Sequence, residues 1–336
     1  MNILVTGGLG YLGSHAVIKL IEQDYGVIIL DNLSNSRERN LNILEKITDK
    51  KIEFYEADIR DKSKLNKILK KNEITGIMHF AGLKSVSKSN SEKEAYFDVN
   101  VNGTRNLIEA LNETSSNKKF FIFSSSACVY GKPFYLPYDE IHQLKPENYY
   151  GKTKLQSELI LKDAYQNHKD WKIVILRYFN PIGSHNSYLI GDDPIGRPEN
   201  LMPNIVNSVN SNETNLKIFG SDHDTFDGTP VRDYIHVEDL IDGHVLALNF
   251  LKSSKKNIYE IFNLGTGEGF SVLQLINSFE EINDVKVPFE FTNKRKGDLP
   301  IYFSSAEKIN KKLGWKPKLT LMDMCKSSWE FHKNKK

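Results

Sequence analysis

The stretch Ile3-Leu4-Val5-Thr6-Gly7-Gly8-Leu9-Gly10-Tyr11-Leu12-Gly13 decides the fold. Its three apolar residues make a short buried strand. The glycines make a turn, and Ser14 to Ile21 continue as a helix with one apolar face. Val27-Ile28-Ile29-Leu30-Asp31 is a second strand, apolar throughout as a central parallel strand is. Together these form a βαβ unit. The turn fits G-x-G-x-x-G as Gly8, Gly10 and Gly13, and G-x-x-G-x-x-G as Gly7, Gly10 and Gly13. Both spacings meet one physical need. A side chain at Gly7, Gly10 or Gly13 would keep the backbone away from a pyrophosphate, which sits against the free N–H groups of the helix start at Tyr11 and Leu12. The strand before, the helix after and the acidic strand end at Asp31 pass the context test for a dinucleotide site.

Asp31 is placed to bond the adenosine ribose hydroxyls and repel a 2′-phosphate, which favours NAD over NADP, although Arg37 and Arg39 follow closely. Asn32, Leu33, Ser34, Asn35 and Ser36 form a loop beside the adenosine. Three more strand–helix rounds follow. Ile52–Tyr55 leads to Asp58 and Ile59, at the adenine. Gly76–Phe80 leads to Ala81, Gly82, Leu83 and Lys84, small residues or backbone beside the cofactor. Phe120–Phe123 leads to Ser124-Ser125-Ser126. Glu92–Asn112 reads as one long helix carrying Asn100 and Asn102. Alternation of this kind predicts an α/β fold, a Rossmann-like doubly wound parallel sheet with ligands outside the carboxyl ends of the strands.

Tyr149-Tyr150-Gly151-Lys152-Thr153-Lys154 is the second key stretch. On a helix, Tyr150 and Lys154 share a face, and a cation beside a phenol favours the phenolate. Gly151-Lys152-Thr153 imitates the end of a P-loop, but Pro146 stands where that loop needs glycine, so it is rejected.

Composition narrows the classes. A chain of 336 residues with 39% hydrophobic and 26% charged residues is ordinary globular material for one large or two modest domains. A net charge of +2 gives no global field for nucleic acid or an anionic membrane. Lys333-Asn334-Lys335-Lys336 reads as a solvated tail. Only Cys128 and Cys325 are present, which excludes a disulfide framework and favours a cytoplasmic location. No apolar run reaches the ~18 residues of a membrane span, and the N-terminus lacks a signal-peptide layout. Nine histidines without metal-ligand spacing predict no metal. Asn112-Glu113-Thr114 and Asn212-Glu213-Thr214 match the glycosylation sequon, without meaning in a cytoplasmic chain.

With these parts assembled, the chain resembles the extended short-chain dehydrogenase/reductases, and within them the UDP-glucose (UDP-galactose) 4-epimerase family. The matching segments run almost end to end. They include Phe80-Ala81-Gly82-Leu83-Lys84, Ser124-Ser125-Ser126-Ala127, Tyr150-Gly151-Lys152, Leu176 to Pro181, Asn200-Leu201-Met202-Pro203, Val231 to Val237 and Gly297-Asp298-Leu299-Pro300. The resemblance implies an isomerase of nucleotide-sugar metabolism. Such an enzyme uses NAD to pass through a transient 4-keto sugar and returns the hydride to the opposite face. It assigns Tyr150 as base, Lys154 as its partner on the nicotinamide ribose, and Ser126 as proton relay, with Asn100 and Phe179 at the cofactor. Spacing to Lys154 selects Tyr150 over Tyr149. For the UDP-sugar it implies Lys84, Ser126, Tyr150, Asn180, Asn200, Leu201, Lys217, Ile218, Phe219, Arg232, Arg295, Asp298 and Tyr302. It also implies a homodimer through helices near Glu92–Asn112 and Leu155–His168.

Arg232 and Arg295 suit a diphosphate clamp, though Arg232-Asp233 also reads as a plain ion pair, and Phe219 as plain core. Tyr302 stands where a bulky residue restricts the family's sugar pocket to the plain hexoses, the alternative being a UDP-N-acetylhexosamine epimerase. A dehydratase or decarboxylase needs a carboxylate after the Ser, where Ala127-Cys128-Val129 stands, and a non-catalytic regulator has no use for Ser126, Tyr150 and Lys154 together. The chain departs from the family pattern at Val99, Cys128 and Asn148, and is about one residue shorter before Tyr150. Residues 1–178 are expected to bind the dinucleotide. Residues 179–336 are expected mainly to form a smaller, interleaved substrate domain, with parts of about 233–265 returning to the first.

Overall fold

The alternation of apolar strands and helices builds the sheet that it predicts. A computed structural model of the protein describes residues 1–114, 116, 118–210, 215–295 and 297–335. The second sequon, Asn212-Glu213-Thr214, lies outside the described residues, as does Lys336 of the tail. The chain divides into two compact units. One comprises residues 1–131, 143–178 and 241–262, the other residues 132–142, 179–240 and 263–336.

In the first unit the strands are β1 (Asn2–Thr6), β2 (Gly26–Asp31), β3 (Glu53–Glu56), β4 (Ile74–His79), β5 (Lys119–Ser126) and β6 (Trp171–Tyr178). The helices between them are α1 (Tyr11–Glu22), α2 (Arg39–Thr48), α3 (Lys62–Lys71), α4 (Val86–Ser89), α5 (Lys93–Tyr96), α6 (Gly103–Asn112) and α7 (Tyr149–Asn167). In sequence order the strands lie 3-2-1-4-5-6 across the sheet, with a later strand beyond β6, and the pairs from β3 to β6 are parallel. The order reverses between β1 and β4, so the crevice outside their carboxyl ends is where such a sheet takes a ligand. Leu65, Ile68 and Leu69 of α3 and Leu107 and Leu111 of α6 pack with Phe121, Phe123 and Trp171 into one apolar layer. At about 25 cal/mol per Å² of apolar surface, that burial is the main term holding the unit together.

Glu92–Asn112, expected as one regular helix, is instead α5, a π-helical turn over Phe97–Asn102, and α6. π turns often occur at functional sites, and here the turn carries Asn100.

The second unit holds β7 (Asn180–Ile182), α8 (Leu201–Asn210), β8 (Leu216–Phe219), β9 (Val231–Arg232) and β10 (Tyr234–His236). The helix α9 (Val237–Ser253) and strand β11 (Ile258–Leu264) come next in the chain and lie mostly in the first unit, where β11 is the strand beyond β6. The second unit resumes with β12 (Phe270–Ser271), α10 (Val272–Asn283), β13 (Phe289–Thr292), β14 (Ile301–Tyr302), α11 (Glu307–Leu313) and α12 (Leu321–Asn334). Beyond β7 the chain is irregular up to α8, much as its Gly, Pro and Asn content predicts. Its sheets are small: β12-β9-β14, β10-β7 and β13-β8. Ile205, Ile276, Phe279 and Met324 are among the residues of its own core. No helix among the described residues is long and apolar enough to cross a membrane, and no group of three metal-ligating side chains is found among them.

Candidate active site

The glycine turn is shaped by close approach. Gly7 has φ +68°, and a Cβ there would stand 2.9 Å from the Ala81 backbone nitrogen. At Gly13 a Cβ would lie 2.1 Å from the Gly7 carbonyl oxygen. Gly7 N–H donates to the Leu30 carbonyl (2.8 Å), and the N–H groups of Phe80 and Ala81 donate to the Thr6 carbonyl (3.1 Å each). The turn is thus pinned to the ends of β2 and β4.

Asp31 does more than its motif suggests. Its Oδ2 accepts from Leu9 N–H (3.0 Å), inside the turn, and its Oδ1 accepts from Leu33 N–H (3.0 Å) and the Ser36 hydroxyl (2.8 Å). Leu33 takes φ +58° to make its bond. Asn32 caps Ser34 N–H (3.1 Å) and donates to Asp58 (2.9 Å). A carboxylate has about four acceptor sites, so Asp31 keeps capacity for a ribose hydroxyl. A turn packed so tightly that Gly7 and Gly13 leave no room for a Cβ, at the start of α1 and next to a buried acceptor, fits a dinucleotide and its ribose.

Asp58 is bonded by Arg60 through N, Nε and Nη2 (2.9 Å each), which with the Asn32 bond holds it down at about 2. Ile59 sends its side chain into the core, against Gly103. Asn100 is spent within the protein. It accepts from Leu83 N–H (2.8 Å) and donates to the Leu83 carbonyl (3.0 Å) and the Thr153 hydroxyl (3.1 Å), so it braces the Gly82-Leu83 backbone. Lys84 and Gly82 are exposed beside it.

Asn148, the departure from the family pattern, is the N-cap of α7 and accepts from Gly151 N–H (2.8 Å). Such a cap is worth about 1 kcal/mol. A Cβ at Gly151 would lie 2.5 Å from the Cys128 carbonyl oxygen, so only glycine lets α7 approach the turn after β5. Tyr150 and Lys154 follow on the buried face of α7. The Ser126 hydroxyl accepts from Cys128 N–H (3.2 Å) and stands near enough to the Tyr150 phenol to favour its ionised form. Lys154 Nζ donates to the Ser124 carbonyl (2.8 Å), 5.0 Å from the Phe123 ring centre and 5.9 Å from that of Tyr150.

Burial pushes the Tyr150 phenol well above 10, against the lowering bond from Ser126. Burial also brings Lys154 down to about 8, with Glu158 opposing. The lowered phenol pKa expected from a Tyr–Lys pair is therefore not produced by the pair alone, because desolvation of the phenolate outweighs a cation across the ring. Sequence reasoning missed the layer beneath. His244 lies between the rings of Phe80 (5.0 Å) and Tyr178 (5.8 Å), with its Nε2 3.3 Å from the Ser124 hydroxyl. No spacing links residue 244 to these strands.

The second unit carries the other candidates. Arg232 is ion-paired with Asp298, and its Nη1 donates to the Val231 and Leu299 carbonyls (2.8 Å each). The plain Arg232–Asp233 pair does not form, because neighbours on a strand point apart. Asp233 instead accepts from Thr266 N–H (2.7 Å), Ser304 N–H (3.0 Å) and both their hydroxyls. Arg295 lies 3.8 Å over the half-buried Phe219 ring, so Phe219 is not plain core. Ile218 is core and Lys217 exposed, as strand alternation requires. Asn200 donates to Asp192 (2.9 Å), Leu201 starts α8, and Asn180 N–H donates to the Asp233 carbonyl (3.0 Å). Tyr302 stands 4.9 Å from the Tyr138 ring and 5.1 Å from that of Phe179.

Residues 3–265 match the model of the NAD dependent epimerase/dehydratase family. The chain belongs to this family. It is 44% identical over 331 residues to the UDP-glucose 4-epimerase of Bacillus subtilis, covering 98% of this chain and 96% of that one. Among solved structures it is similar to the UDP-glucose 4-epimerase of Stenotrophomonas maltophila with bound NAD and formylated UDP-arabinopyranose. That likeness has a TM-score of 0.95 at 41% identity, over 100% of this chain and 98% of that one. The Bifidobacterium longum UDP-glucose 4-epimerase in complex with NAD⁺ and UDP gives a TM-score of 0.94 at 40% identity, over 99% and 98%. Family membership agrees with the fit of the glycine turn to NAD.

Proposed function

We propose that this protein is an NAD-dependent epimerase that interconverts UDP-galactose and UDP-glucose. The observation that carries the reading is the buried set of Ser126, Tyr150 and Lys154 at the end of β5 and the start of α7, next to a glycine turn and Asp31 that fit NAD.

The chain's own part is orientation and proton handling. Lys154, at about 8, carries its charge at neutral pH. Bound NAD⁺ supplies a reversible acceptor for the hydride of the sugar's carbon 4 and a positive ring that favours the phenolate. Tyr150 takes the proton of the 4-hydroxyl, directly or through Ser126, as the 4-keto sugar forms. The sugar turns about its diphosphate linkage, and Tyr150 returns the proton once carbon 4 is reduced on its other face. Arg232, Arg295, Asn180, Asn200, Asp298 and the β8 backbone around Ile218 are assigned to the UDP part, which must be held tightly while the hexose turns. Asp298 already engages Arg232, so the pair sets the guanidinium for an incoming phosphate. Tyr302, held between Tyr138 and Phe179, limits the sugar to the plain hexoses.

The reading extends to a homodimer in the cytoplasm, for which the half-exposed Leu159 on α7 and two cysteines that form no disulfide are the supporting features. Sedimentation tests the dimer. The reaction is tested by incubating the purified protein with UDP-galactose, without added NAD, and measuring UDP-glucose. Turnover is expected, and none with or without added NAD would refute the reading.

A further inference from the structure

Beneath Ser126 lies a buried polar cluster that the reaction itself does not use. Along β5 the side chains alternate, with Ser124 and Ser126 on the face that carries His244, Tyr178 and Tyr150, and Ser125 turned the other way. Ser125 donates to Glu158 Oε1 (2.5 Å). Arg177, near the end of β6, donates through Nε to the same oxygen (3.0 Å) and through Nη2 to Oε2 (2.6 Å). Its Nη1 donates to the Tyr130 hydroxyl (3.2 Å), and its guanidinium lies 5.0 Å from that ring centre. Glu158 is 3% exposed and Arg177 1%. Glu158 stands one turn beyond Lys154 on α7, and Lys154 one turn beyond Tyr150, so the three share a face. Buried ion pairs add little stability over apolar residues of the same volume, so stability alone gives no reason for this one.

We propose that Ser125, Glu158 and Arg177 form a positioning brace for the reaction. They lock the end of β5 to α7, so that Ser126 stays beside the Tyr150 phenol and the Ser124 carbonyl stays on the Lys154 ammonium. The proposal rests on the reading of Ser126, Tyr150 and Lys154 given above. Charge supports it. The titratable groups around Lys154 are Tyr150 and Glu158 on its own helix and His79 on β4. His79 is pushed down by burial to about 3 and is neutral, so Glu158 is the group that favours the ammonium.

Ser125→Ala deletes one hydrogen bond and leaves the ion pair, so the fold is kept. kcat on UDP-galactose is expected to fall about tenfold with KM within about twofold, and Ser125→Thr to restore it. Glu158→Gln removes the negative charge beside Lys154, and its alkaline limb of kcat should move to lower pH. Arg177→Gln leaves Glu158 unbalanced and should move the limb to higher pH. The same opposite displacements are expected, without turnover, in the phenolate absorbance of each protein measured against its Tyr150→Phe derivative. Ser125→Ala with kcat within about twofold of the unaltered protein would overturn the brace, as would limbs that move together. If the charge variants do not fold, the Ser125 series alone decides. An unaltered protein inactive on UDP-galactose would instead overturn the reaction on which the proposal rests.

Discussion

Gly13→Ala is the sharpest test of the cofactor cradle, and Gly10→Ala is its control. At Gly13 the added Cβ would stand 2.1 Å from the Gly7 carbonyl oxygen and 2.8 Å from the Gly8 Cα, both backbone atoms of the same turn. Ordinary contact begins at about 3.4 Å, so the turn must open by more than an ångström, and no flexible side chain is there to yield. Overpacking of this kind costs about 1–3 kcal/mol of stability. Opening the turn also misdirects the N–H groups meant for the pyrophosphate, and each charge-assisted bond lost is worth about 1.5–3 kcal/mol, or roughly ten- to hundredfold in affinity. At Gly10 the Cβ meets only the Gly7 oxygen, at 3.2 Å, a contact that a shift of tenths of an ångström relieves. Gly10→Ala should therefore melt like the unaltered protein, yet bind NAD more weakly because the methyl occupies the approach to the phosphates. The assays are thermal unfolding and NAD titration on cofactor-stripped protein. Gly13→Ala should lose both stability and affinity. Retention of NAD within about threefold by Gly13→Ala would refute the cradle.

Tyr150→Phe should lower kcat by about 10²–10⁴ while leaving UDP binding intact; near-normal turnover would assign the base elsewhere. NADP should not replace NAD in reconstituted protein, because the Asp31 carboxylate faces a 2′-phosphate. Asp31→Ala should not rescue NADP, since it also strips partners from Leu9 and Leu33 N–H; activity with NADP measures this. His79, bonded to Thr6 (2.7 Å) and Thr104 (3.1 Å), is held at about 3 against 6.5 in the unfolded chain. Below pH 6.5 the unfolded chain binds a proton that the folded protein refuses, so stability should fall from there toward pH 3, by up to about 1.4 kcal/mol per pH unit. Urea unfolding at stepped pH reads this slope, and His79→Gln should flatten it. Tyr302→Ala should raise turnover of UDP-N-acetylglucosamine relative to UDP-glucose, measured side by side; an unchanged ratio would free Tyr302 of that role.

Much of the fold was legible because its signals are local. An apolar strand, a glycine turn and an amphipathic helix each show in a window of about ten residues. Tyr150 and Lys154 were legible for the same reason, being one helical turn apart. The π turn at Phe97–Asn102 was not, since no residue pattern marks a single widened turn, and Asn100 consequently faces the Leu83 peptide and Thr153. The cap at Asn148 is within reach of the rules for helix starts, because Asn is a favoured N-cap and stands just before the helix that Tyr149 opens.

The sequence by itself determined the parallel α/β fold, the dinucleotide turn, the preference implied by Asp31 and the base–cation spacing, because each is a property of neighbours along the chain. Only the tertiary structure decided the partners. Asp31 holds the turn through Leu9, Arg232 pairs with Asp298 rather than with Asp233, and Ser125, Glu158 and Arg177 meet behind Ser126. It also decided the sign of the Tyr150 shift, because desolvation depends on everything packed around the phenol and not on the residue one turn away.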